Sequence, residues 1–120
     1  MADKVLVTLT TGMEDPERVM IAMLIATAGQ AQGKDVLVWT TQEAVHLGRP
    51  GVATGVPCEG CPPLERLFSQ YEEAGGEIWL CPFCVNSRGL ADEEWLPNAK
   101  VAGATPMFEW LGDSGKVFSY

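Results

Sequence analysis

The chain's 120 residues are 47% hydrophobic, enough for one core and too little for two, so a single domain over residues 1–120 is expected. Sixteen acidic against eight basic residues leave a net charge of −8, and no Lys/Arg cluster is present to neutralise a phosphate backbone, which argues against nucleic acid as a partner. No basic stretch leads into an apolar run with a cleavage site, and the longest apolar run, Val19 to Ala28, is ten residues where a membrane-spanning helix needs about twenty.

The run from Lys4 to Thr10 is rich in β-branched and leucine residues with little polar alternation, the pattern of a strand covered on both faces. Asp15-Pro16-Glu17 then supplies an N-cap, a proline for the first helical position and an acid for the first turn, so a helix is expected to about Gln32, with Gly33 as its stop. Val19 to Ala26 is apolar nearly all round, which implies cover on more than one side, the second from another subunit. Asp35 to Thr40 reads as a second buried strand, followed by a short helix from Gln42 to Leu47.

Residues 48–61 are punctuated by glycine and proline and are too long for a plain connection, which marks a functional loop carrying Cys58 and Cys61. Leu64, Leu67, Phe68 and Tyr71 recur at helical spacing, so an amphipathic helix is expected across Pro62 to Ala74, ended by Gly75-Gly76. Glu77 to Cys81 reads as a third strand, Pro82 to about Leu90 as a helix and Ala99 to Ala102 as a short strand. A helix from Pro106 to Leu111 and a last strand from Lys116 to Tyr120 complete the pattern. Such alternation argues for a mostly parallel sheet with helices on both faces, in which catalytic groups gather at the carboxyl ends of the strands. That rule places Thr10 to Gly12, Thr40-Thr41, Cys81 to Cys84 and Gly103 to Thr105 on one edge.

Four cysteines without an export signal are expected in a reducing, cytoplasmic compartment, where CxxC pairs bind metal or do redox or sulfur chemistry more often than they form structural disulfides. Cys81-Pro82-Phe83-Cys84 puts one thiol at a strand end beside the first amides of a helix, which lower a thiol's pKa and favour the nucleophilic thiolate. Cys81 is therefore the expected nucleophile. Cys84, a turn later, either resolves a bond made to Cys81 or fills core space as a small hydrophobe. Cys58-Glu-Gly-Cys61 adds a second pair, with 19 residues between Cys61 and Cys81. That interval lies within the 15 to 20 or so of a four-thiolate zinc site, so Cys58, Cys61, Cys81 and Cys84 form a second reading as metal ligands. A disulfide or sulfur-transfer partnership between the pairs competes with it. His46 reads as structural or solvated, and Arg88-Gly89 either steadies an anion or closes a helix. Phosphate-loop, dinucleotide and serine-hydrolase motifs are missing from the chain.

Pro62-Pro63-Leu64-Glu65, the run from Gly75 to Cys84, Ser87-Arg88-Gly89-Leu90 and the turn from Ala99 to Thr105 together resemble the DsrE/DsrF-like sulfur-relay family. The resemblance implies a three-layer α/β/α fold around a five-stranded, mostly parallel sheet, often assembled into trimers or hexamers. In sulfur-relay members a cysteine at the end of the third strand accepts sulfane sulfur as a persulfide and hands it on, and Cys81 holds the matching position. Cys84 matches a second cysteine of some branches, including chains labelled predicted peroxiredoxins, whereas Cys58 and Cys61 depart from the pattern.

Three readings follow. The first is a sulfur carrier, related to sulfurtransferases, that loads Cys81 from a donor protein, releases to an acceptor protein with help from Cys84, and requires no cofactor. The second is a zinc-binding structural or interaction module using all four thiolates. The third is a CxxC thiol-disulfide oxidoreductase, since C-P-F-C resembles the glutaredoxin motif C-P-Y-C, although its place after the third strand and not the first argues against that fold.

Overall fold

The computed structural model describes residues 2–120, in which five strands join one sheet. β1 (Lys4–Leu9), β2 (Asp35–Thr40), β3 (Glu77–Leu80), β4 (Ala99–Val101) and β5 (Lys116–Ser119) lie in the order β4-β3-β2-β1-β5, and every neighbouring pair is parallel. Parallel strands need crossovers, and these are α1 (Pro16–Ala31), α2 (Leu64–Glu73), α3 (Pro82–Ser87) and α4 (Ala104–Leu111). The sequence expectation of a three-layer α/β/α fold is met, and the sheet is parallel throughout.

Side-chain alternation along the strands divides the interior into two cores of unequal size. Val5, Val7 and Leu9 of β1, Val36 and Val38 of β2, and Ile78 and Leu80 of β3 share the larger one. Onto them α1 places Val19, Met20, Ala22, Met23 and Ala26, and α2 places Leu64, Leu67, Phe68 and Tyr71. On the other face Leu6, Leu37 and Trp79 pack against Met107 and Leu111 of α4, with Trp39, Ala102 and Trp110 at the margin. This face is thinly covered, and Phe108 of α4 is 65% exposed.

The local signals act as expected at most element ends. The Asp15 carboxylate accepts the Arg18 N–H at 3.2 Å, and Pro16 stands at the first helical position of α1. In this chain α1 is covered on one side only, with Ile21 and Leu24 facing outward. Its apolar character therefore exceeds what one chain's core consumes. α3 stops at Ser87 and not near Leu90, because Gly89 takes a left-handed φ of 67° that breaks the helical path. α4 starts two residues earlier than proline alone signals, at Ala104, since Pro106 still falls in the first turn, where no N–H is needed. Residues 42–48 form a 3-10 helix.

Tyr71 ties the helical layer to the sheet. Its hydroxyl accepts the Val38 N–H at 3.1 Å and donates to the Glu77 carbonyl at 2.6 Å, bridging β2 and β3 from within the core. Burial drives the phenol well above its ordinary pKa, so the hydroxyl stays protonated and keeps its donor. Gly76 makes the approach possible, because a Cβ there would lie 2.4 Å from the Tyr71 ring. Tyr71→Phe is expected to lower unfolding free energy by about 1–3 kcal/mol in urea denaturation, since it leaves a buried amide without its acceptor.

Candidate functional site

Because all strands point the same way, their carboxyl ends share an edge, and backbone bonds continue across that edge beyond the strands themselves. Thr10 N–H donates to the Tyr120 carbonyl, Thr41 N–H to Leu9, Cys81 N–H to Thr40 and Ala102 N–H to Leu80, each at 3.0 Å. Cys81 is thereby fixed as the residue after β3 and the N-cap of α3, where its carbonyl accepts the Val85 N–H at 3.0 Å. Pro82 follows at the first helical position.

Cys84 follows one turn on in α3, and its thiol titrates together with that of Cys81. Both cysteines are half-buried and free. Burial pushes the Cys84 thiol up, and the neighbouring Cys81 sulfur adds to this, while the Gln42 backbone N–H and the Arg88 guanidinium pull the other way. Gln42 is the non-glycine residue with positive φ among the described residues, at 54°. That conformation costs an L-residue roughly 1–2 kcal/mol, and here it turns the amide toward Cys84.

A polar chain holds this arrangement from outside. Arg88 Nε donates to Glu43 Oε1 at 3.0 Å, and its Nη1 reaches the Cys84 carbonyl at 3.4 Å. His46 Nε2 lies 3.4 Å from Glu43 Oε2, so the chain's histidine meets the site through Glu43 and not through sulfur. Gly12, in the turn after β1, lies so close to the 42–48 helix that a Cβ on it would be 2.6 Å from the Glu43 carbonyl oxygen. Phe83, between the two cysteines, is 82% exposed and stands out from the edge.

Cys58 and Cys61 are paired with each other as a disulfide, with a Cα–Cα separation of 5.1 Å that suits such a bond. The Cys61 N–H donates to the Cys58 carbonyl at 3.0 Å, closing the turn between them. Both pairs pack against the larger core. Among the described residues, no three His, Cys, Asp or Glu side chains gather into a group able to hold a metal ion, so the two CxxC pairs do not converge on one centre in this structure. A cleft of about 310 Å³ lined by Gly75, Glu77, Asn98 and Lys100 opens at the opposite edge of the sheet, where there is no thiol.

From the sequence, Cys81 and Cys84 fall together, and Arg88 either steadies an anion or closes a helix. Sequence reasoning missed Gln42 and Glu43, whose contribution comes from a left-handed turn and an ion pair 45 residues apart in sequence. The only available signal was their position directly after a strand end. Since the Cys84 thiol is raised in the folded chain relative to the unfolded one, folding favours its protonated form, and that stabilisation fades as alkaline pH passes the folded value. At pH 8, Cys84 in the native protein is expected to alkylate more slowly than in the urea-unfolded chain, by peptide mass spectrometry. Faster native alkylation would contradict the geometry.

A family model described as the DsrE/DsrF-like family matches residues 3–120. An uncharacterised Methanopyrus kandleri protein, MK0008, is 24% identical over 118 residues, covering 98% of this chain and 94% of that protein. Among solved structures, the ychN protein from E. coli superposes with a TM-score of 0.80 at 18% identity, covering 98% of this chain and 99% of that one. The protein of unknown function MTH1491 from Methanobacterium thermoautotrophicum gives a TM-score of 0.73 at 12% identity, with coverage of 98% and 99%. These structural likenesses bear on fold alone, whereas the family match runs through the strand-end cysteines, and the chain belongs to the DsrE/DsrF-like family.

Proposed function

We propose that this protein is a small intracellular sulfur carrier that takes sulfane sulfur onto Cys81 as a persulfide and passes it to a cysteine of a partner protein. The observation that carries the reading is the free Cys81 thiol at the strand end and N-cap of α3, with a second free thiol, Cys84, one turn on. Family membership, which suggests a sulfur-relay role, supports it. In the loading step the Cys81 thiolate attacks the outer sulfur of a donor persulfide. A new S–S bond forms on Cys81 as the donor's S–S bond breaks, and the donor leaves as a thiolate. Release to the acceptor repeats the exchange in the other direction.

Phe83 gives a partner an apolar anchor beside the reacting sulfurs. The thinly covered α4 face, with Phe108, supports assembly of several copies, as in the trimers and hexamers that the family resemblance implies. No helix among the described residues is long and apolar enough to cross a membrane. Two free thiols one helical turn apart also favour a second reading, a thiol-disulfide oxidoreductase cycling that pair.

Intact mass of the purified protein, with and without chelator and then after exposure to a persulfide donor, separates the readings. A metal-free protein is expected to gain one reducible sulfur that Cys81→Ser abolishes and Cys58→Ser retains. Zinc that resists dilution, with no sulfur adduct, would reverse the conclusion in favour of a four-thiolate metal module. Turnover of a Cys81–Cys84 disulfide with a thiol reductant and no sulfur adduct would instead select the oxidoreductase.

A further inference from the structure

Cys58 and Cys61 are bonded to each other in a segment whose shape does not depend on that bond. The Cys61 N–H donates to the Cys58 carbonyl at 3.0 Å, and Gly60, the third residue of this β-turn, has a φ of 81°, so the backbone by itself brings the two cysteines to a Cα–Cα separation of 5.1 Å. Pro57, Pro62 and Pro63 stiffen the chain on either side. Just before them, the Gly55 N–H donates to Glu65 Oε1 and the Gly55 carbonyl accepts the Leu64 N–H, each at 2.9 Å, which fastens the segment to the start of α2. Further back, the Gly48 carbonyl accepts the Leu96 N–H at 2.7 Å. A disulfide staple stabilises most when it closes a long loop, and only Glu59 and Gly60 lie between these cysteines. The bond thus has little to hold. It is also within reach of solvent: Cys58 and Cys61 are half-buried, Glu59 and Gly60 are exposed, and Val56, two residues before Cys58, is 59% exposed.

We propose that Cys58 and Cys61 form a redox site of their own, a reversible dithiol–disulfide couple that exchanges electrons with the dithiol of a partner and works apart from Cys81 and Cys84. A partner thiolate attacks one sulfur of the pair. The Cys58–Cys61 bond breaks, its electron pair leaves on the other cysteine, and that sulfur takes a proton. The partner's second thiol then attacks the partner sulfur of the mixed disulfide, and the electron pair goes to the remaining cysteine, which takes the second proton. Two electrons and two protons pass, so the partner ends as a disulfide and this chain as two thiols. Exchange with an oxidised partner runs the same steps in reverse. A monothiol does not complete the reduction, because the turn holds the freed cysteine within bonding reach of the mixed disulfide, where it displaces the monothiol and closes the pair again. The turn therefore selects a dithiol.

The test uses the full chain carrying Cys81→Ser and Cys84→Ser, so that failure of the carrier reading leaves the result unaffected. The protein is treated with dithiothreitol near neutral pH without denaturant, alkylated and mapped by peptide mass spectrometry. Cys58 and Cys61 are expected to be reduced at a rate within about a hundredfold of that in the urea-unfolded chain, and to re-form their disulfide with one equivalent of diamide. Glutathione at the same thiol concentration is expected to leave them paired. Cys58→Ala with Cys61→Ala, in the otherwise wild-type chain, is expected to keep the native far-UV circular dichroism. A greater lag in reduction, or loss of that spectrum, would mark a structural staple and overturn the proposal. It falls equally if glutathione reduces the pair as fully as dithiothreitol, or if diamide leaves the two thiols free.

Discussion

Thr40 is bonded to β3 and to the residue after it: its hydroxyl donates to the Trp79 carbonyl at 3.0 Å, and its carbonyl accepts the Cys81 N–H at the same distance. These two bonds end the β2–β3 pairing at a defined residue, and the rest of the thiol edge depends on where it ends. A slip of one position would turn the Cys81 side chain to the other face of the sheet, because side chains alternate along a strand. With the register fixed, Pro82 starts α3 at once, and Cys84 comes round one turn later against Cys81. The same strand end releases β2 into Thr41 and Gln42, whose left-handed turn aims an amide at Cys84. One ladder thus positions both the thiols and the groups that face them.

The unequal cores decide what the thiol edge stands on. The larger core anchors β1, β2 and β3 under two long helices, with the Tyr71 hydroxyl tying β2 to β3 at the far end of the sheet from the cysteines. Val85 and Leu90 carry the same core up to the segment around α3. The site therefore stands on the well-packed side of the molecule, and the α4 side is left with exposed apolar surface. The thiols pack against the larger core, whereas the exposed apolar surface of α4 lies on the other face of the sheet.

Most of the fold was legible because its signals are local. The β-branched runs of β1 and β2, the Asp15-Pro16 cap and the helical spacing of Leu64, Leu67, Phe68 and Tyr71 each state an element in a few residues. Cys81 was legible for the same reason, since a short buried run followed by Cys-Pro marks a strand end and a helix start together. What could not be read were contacts made by the backbone or across long separations. Gln42 is an ordinary residue type whose importance lies in a φ of 54° and an amide. Arg88 could be flagged as anion-binding, but only the fold supplies Glu43 to hold it. The zinc-like cysteine spacing could not be weighed from sequence, because α2 and β3 fill the interval and only the fold shows the two pairs as separate groups.

The most direct measurement is a sulfur anomalous difference map from crystals of the protein soaked in a persulfide donor. A sulfur carrier shows one added sulfur peak about 2 Å from Sγ of Cys81 or Cys84, with Cys58 and Cys61 unchanged. A single strong metal peak shared by all four cysteines, or thiols left unmodified after soaking, would contradict a sulfur-carrying role for this edge.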